Sequence, residues 1–190
     1  MTDINQEVKG TLARLLATEN LTVEHRKVST AFFDVEKRLL CLPIWKTAST
    51  TVYELLVGHE VGHALYTPNA RPEGVNKSFL NVLEDVRIEK LMRQTYPGLK
   101  KTFFAGYAEL WRDDFFGVAN DDVNEIAFID RINLFYKGCY DMEFTAEEQV
   151  YVNRAGATKT FEEVIELAKE LYDLMEEKEQ EKLEDLSQQQ

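Results

Sequence analysis

Ile4, Val8, Leu12, Leu15 and Leu16 recur at spacings of three and four, which predicts an amphipathic helix over 3–17. The pattern then shortens. Residues 29–33 and 39–42 are brief aromatic or apolar runs separated by the polar segment 34–38, so a β-hairpin or two adjacent strands is expected there. Pro43 ends or edges the second run. Helical spacing returns over 49–66, where Ser49 or Thr50 can cap the first amides and Pro68 closes the segment. Residues 69–77 contain Arg71-Pro72-Glu73-Gly74 and predict a loop. A helix over 78–94 follows, stopped by Pro97-Gly98, and then further helices over 99–114, 121–137 and 146–155, the last two closed by Gly138 and Gly156. Thr145 with Glu148, and Thr160 with Glu163, each fit a reciprocal capping box. The final helix carries Val164, Leu167, Ala168, Leu171 and Met175 on one face.

These elements predict an α+β fold, mostly α. A small N-terminal β-sheet should pack on the helix of 49–66, with a helical subdomain after it. The expected division is a domain over 1–160 followed by a C-terminal amphipathic helix and acidic tail or linker over 161–190.

Charge alters this picture in one place. The chain has 190 residues and a net charge of -12, and eleven of its acids against three lysines fall between Glu162 and Gln190. The body is nearly balanced, and the stretch beyond Met175 reads as a solvated helix or a linker. Net acidity argues against bulk attraction to nucleic acid or anionic membrane. No apolar run is long enough to predict a membrane-spanning helix, and the first residues show no secretion signal. Cys41 and Cys139 form no CxxC pair, so a reducing, cytoplasmic setting is expected, with both thiols buried.

The chemistry concentrates in Val57-Gly58-His59-Glu60-Val61-Gly62-His63. The chain has three histidines, and two of them stand four apart with a Glu beside the first. Residues four apart lie one above the other on a helix face. Two imidazoles there can reach one Zn²⁺ at about 2.0–2.1 Å. Glu60 is then set to one side, where it can reach a water on the metal without being a ligand. The bland reading is a helix with two ordinary histidines, but Gly58 and Gly62 would each weaken such a helix by about 1 kcal/mol relative to Ala.

A catalytic zinc needs a third protein ligand. His25 lies upstream near the expected strands. The run after His63 continues Ala64-Leu65-Tyr66-Thr67-Pro68, which excludes the metzincin pattern. The next helix offers Glu84 and Asp85, 21 and 22 residues after His63, far enough for a turn and an antiparallel return. Glu84 is the expected third ligand. Asp85 is the runner-up, or else an acceptor for an imidazole N–H. Arg87 and Glu89 can hold the arrangement by charge pairing, and Arg87 can neutralise buried acids.

HExxH followed some 20 residues later by a helix-borne acid resembles the gluzincin side of the zincin metallopeptidases. A nearer resemblance is to the metallopeptidase domain of bacteria and tailed phages that precedes von Willebrand A-type domains, in relatives of a cobaltochelatase subunit and partners of AAA+ ATPases. It rests on Thr30-Ala-Phe-Phe-Asp34, His59-Glu-Val-Gly-His-Ala-Leu-Tyr66 and Asn81-Val-Leu-Glu-Asp-Val-Arg-Ile-Glu89, about a third of the chain. The acid sits in Leu-Glu-Asp where gluzincins have Asn-Glu, which leaves Glu84 and Asp85 both open. The resemblance implies a zincin-like fold, a Zn²⁺ cofactor, and peptide hydrolysis with Glu60 as general base. It also implies protein or peptide substrates, and an AAA+ ATPase or von Willebrand A protein as partner. By the same resemblance an extended substrate would pair with the 39–42 strand or the one before it. A second function keeps the same metal: a catalytically silent zinc-binding adaptor for such a partner.

An oxyanion donor is also needed. Tyr66, Tyr96, Tyr107 and Arg87 are candidates that spacing does not rank. Phe103, Phe104, Trp111, Phe115 and Phe116 read as core behind the site before they read as a substrate groove. Asp113-Asp114 and Asp121-Asp122 read as helix ends and caps.

Overall fold

The computed structural model describes residues 21–44 and 48–188, together with Ala13 and Ala17. Apart from these two alanines, both helical and buried, the helix expected over 3–17 lies outside the described residues. The described chain is α+β and mostly helical, with three strands and six further helices. It divides into two compact units, one of residues 1–70 and 88–120, the other of residues 71–87 and 121–190. The C-terminal helix belongs to the core of the second unit.

The first unit holds the sheet. Strands β1 (Thr22–Arg26), β2 (Phe32–Asp34) and β3 (Leu39–Pro43) lie in the order β1-β3-β2. β2 and β3 pair antiparallel, Phe33 opposite Leu40, as the two apolar runs predict. Between them the Asp34 carboxylate accepts the Lys37 amide at 2.9 Å and Arg38 takes a left-handed φ of 52°, which closes the turn. β1 pairs parallel to β3, with Val23 opposite Leu40. That strand was not expected, since Thr-Val-Glu-His-Arg carries a single large apolar residue. β3 therefore lies in the middle, and Leu40, Cys41 and Leu42 are fully buried. With both backbone edges of β3 paired, the 39–42 strand cannot add a substrate strand; among the described residues β1 and β2 are the edges.

Helix α1 (Thr50–Tyr66) packs on the sheet. Ser49 caps it by accepting the Val52 amide at 3.1 Å. Its apolar residues surround it rather than forming a stripe, as suits a helix enclosed by neighbours. Helix α2 (Lys77–Thr95) starts in the second unit and ends in the first, where α3 (Leu99–Arg112) completes the core. Three glycines set the spacing. A Cβ on Gly62 would stand 2.8 Å from Ile88 Cδ1, one on Gly58 3.0 Å from Phe103, and one on Gly106 2.8 Å from Leu55 Cβ. These glycines bring helices close together, and side chains of the neighbouring helices lie against them.

In the second unit the first part of α2 packs with α4 (Phe128–Tyr136), α5 (Ala146–Ala157) and α6 (Phe161–Gln188). α4 is shorter than the 121–137 predicted. Asp122 accepts the Asn124 amide at 3.0 Å, an Asx turn that competes with helix over 121–127. Both capping boxes form, at Thr145–Glu148 and at Thr160–Glu163. α6 is one continuous helix: Val164, Leu167, Ala168 and Leu171 are buried, and Leu183 and Leu186 are exposed. Cys139 is only partly buried, unlike Cys41. Burial pushes both thiols up, away from nucleophilic chemistry.

Candidate metal centre

In α1 the HExxH spacing does what helix geometry requires. His59 and His63 stack on one face with ring centroids 5.0 Å apart. Each ring is held from behind. Nδ1 of His59 lies 2.9 Å from Glu89 Oε1, on the part of α2 that packs in the same unit. A carboxylate accepts only, so the proton sits on Nδ1 and Nε2 points to the opposite side of the ring. Nδ1 of His63 lies 2.9 Å from the hydroxyl of Thr67, the C-cap of α1, whose own amide donates to His63 O at 3.0 Å.

Glu89 is 2% exposed and collects three donors. Besides His59 it accepts from the Tyr107 hydroxyl and, at 3.2 Å, from Arg93. A carboxylate so supplied fixes the ring that it contacts. The sequence offered Glu89 as a charge partner in general terms. It gave no sign that Glu89 orients His59, because this contact spans 30 residues. Tyr107 proves to be a support for Glu89, and Tyr66 bonds Thr95 Oγ1 at 2.7 Å.

Asp85 precedes Glu89 by one turn of the same helix. Ligand atoms of His59, His63 and Asp85 all lie within 4.8 Å of one another. Two imidazoles and a carboxylate, each partly buried, could hold a metal ion.

Glu84 stands outside this group. It is 3% exposed, and Arg87 of the same unit donates to it twice, Nε to Oε2 at 2.8 Å and Nη2 to Oε1 at 2.7 Å. Arg87 also reaches the Lys159 carbonyl at 3.4 Å. Consecutive helix residues project about 100° apart, so Glu84 and Asp85 face different neighbours. The expected role of Arg87 in neutralising a buried acid is thus met on Glu84, while Asp85 pairs with Lys137 at 3.0 Å.

Glu60 follows His59 on α1 and is 6% exposed. His25 lies on β1 and is not in the metal-capable group. Phe103 is core, with Trp111 and Phe116 packed against it, whereas Phe104 points outward at 69% exposure. No helix among the described residues is long and apolar enough to cross a membrane. No protein-family model, curated protein or solved structure matches the chain.

Proposed function

We propose that this chain is a zinc-dependent metallopeptidase of zincin-like fold, with His59, His63 and Asp85 holding the metal and Glu60 as general base. The observation that carries the proposal is the convergence of two oriented imidazoles and one carboxylate within 4.8 Å, with an acid next to the first histidine. A three-stranded sheet lying on the HExxH helix supports the fold reading. In this proposal Asp85, rather than Glu84, is the third ligand, because Arg87 already claims both oxygens of Glu84.

Zn²⁺ held by these three residues would supply Lewis acidity, lowering the pKa of water to about 7 and polarising a carbonyl. The protein's own residues do the rest. Glu60 takes a proton from the attacking water as its oxygen bonds to the carbonyl carbon. It returns that proton to the nitrogen when the C–N bond breaks. Glu89 keeps His59 in the tautomer that presents Nε2, and the Thr67 hydroxyl holds the orientation of the His63 ring. The substrate is a peptide or protein, and an AAA+ ATPase or von Willebrand A protein is the kind of partner proposed.

Metal content by plasma mass spectrometry tests the site. Wild type should hold about one zinc per chain, Glu84→Gln should keep it, and His63→Ala and Asp85→Asn should lose it. Wild type that stays empty after zinc is added back would end the proposal. Glu60→Gln should keep the metal and lose peptidase activity by about 10²–10⁴-fold, the usual worth of a general base. Zinc binding with no peptidase activity in wild type would leave the adaptor function in its place.

A further inference from the structure

Lys137 is a residue that the sequence did not single out. Its ammonium lies 3.0 Å from Asp85 Oδ2, and both side chains are largely buried, 17% and 18% exposed. Its backbone is held firmly at the end of α4. Its amide donates to the carbonyls of Asn133 and Leu134, both at 3.1 Å. The next two amides close the helix, Gly138 to Phe135 O at 3.2 Å and Cys139 to Leu134 O at 3.0 Å. This is a Schellman closure, and Gly138 takes the left-handed φ of 104° that it demands. The cap fixes where the lysine stem begins, and the ion pair fixes where it ends.

We infer that Lys137 is a positioning residue for the metal site: it holds one oxygen of Asp85 so that the carboxylate is set for coordination. This rests on the metal reading above. A lone aspartate on a helix can turn about two side-chain bonds, and ordering it on metal binding would cost conformational entropy. Here the ordering is already done by a partner outside the metal-capable group. A positive charge beside a metal ligand has an opposing effect, since it repels the incoming cation. The two roles predict opposite signs, which makes the inference testable.

Zinc affinity would be measured on the full chain by competition with a chromophoric chelator, for wild type, Lys137→Met and Lys137→Arg. The visible spectrum of the Co²⁺-loaded proteins would be recorded alongside. The loss of a partner that orients a ligand weakens metal binding by about 10–100-fold. Lys137→Met should show that loss and an altered Co²⁺ spectrum. Lys137→Arg should recover wild-type affinity to within about threefold, because a guanidinium offers the same charge-assisted bond. If Lys137→Met does not fold, Lys137→Gln takes its place, with the same expected direction. Unchanged or tighter zinc binding in the uncharged variant would overturn the inference while leaving the metal reading intact. Absence of zinc from wild type would remove both.

Discussion

Glu84 and Asp85 are neighbours in sequence and of like charge, yet their surroundings assign them different work. Glu84 is buried against Arg87 through two charge-assisted hydrogen bonds, while Asp85 belongs to the His59–His63 group. Breaking a buried pair by removing one charge leaves the other uncompensated and costs about 3–5 kcal/mol. Glu84→Gln should therefore lower stability by that order, read by urea denaturation, while zinc stoichiometry stays near one. Asp85→Asn should do the reverse, with a smaller loss of stability and no zinc. An equal loss of zinc in both variants would show that Glu84 also reaches the metal.

Among elements, close packing of α1 on α3 depends on Gly106. Its Cβ position lies 2.8 Å from Leu55 Cβ and 2.9 Å from Leu55 Cδ2, and a Cβ cannot move aside as a chain end can. Overpacking of this kind costs about 1–3 kcal/mol, against a helix-propensity gain near 1 kcal/mol for replacing glycine. Gly106→Ala should thus destabilise by about 1 kcal/mol, read as a fall in Tm of several degrees. A higher Tm would show that the helices can separate at no cost. In the second unit Glu148 joins α4 to α5. Burial works to raise its pKa, but the Arg131 hydrogen bond, the Thr145 amide and nearby cations outweigh it and hold the carboxyl below its usual range. The stability that it contributes is complete above the unfolded carboxyl's pKa of about 4.3 and is lost as pH falls through the lower folded value. Glu148→Gln should cost about 2 kcal/mol at pH 7. Its stability should then decline less steeply than wild type below about pH 4. Parallel curves would separate Glu148 from the acid transition.

For the whole molecule, zinc that binds the folded chain and not the unfolded one should raise stability by about 2.7 kcal/mol at a hundred times its Kd. Thermal scans with zinc and with a chelator should differ accordingly in wild type, and coincide in His63→Ala. The acidic end of the chain enters little into this balance. Beyond Met175 the α6 side chains are mostly exposed, and the Lys178–Glu147 pair, at 46% and 58% exposure, is of the surface kind that contributes little.

The sequence by itself determined the helix that carries His59, Glu60 and His63, both capping boxes and the β2–β3 pairing. Each rests on contacts within a few residues or on the period of the apolar pattern. The shortened start of α4 escaped detection because an Asx turn at Asp122 competes locally with helix. Tertiary structure alone decided the rest. It paired β1 beside β3, which a five-residue polar strand cannot announce. It set Glu89 behind His59 across 30 residues and brought Lys137 to Asp85 across 52. It also separated Asp85 from Glu84, since helix phase places two adjacent acids against different neighbours, and which neighbours stand there depends on how distant helices pack.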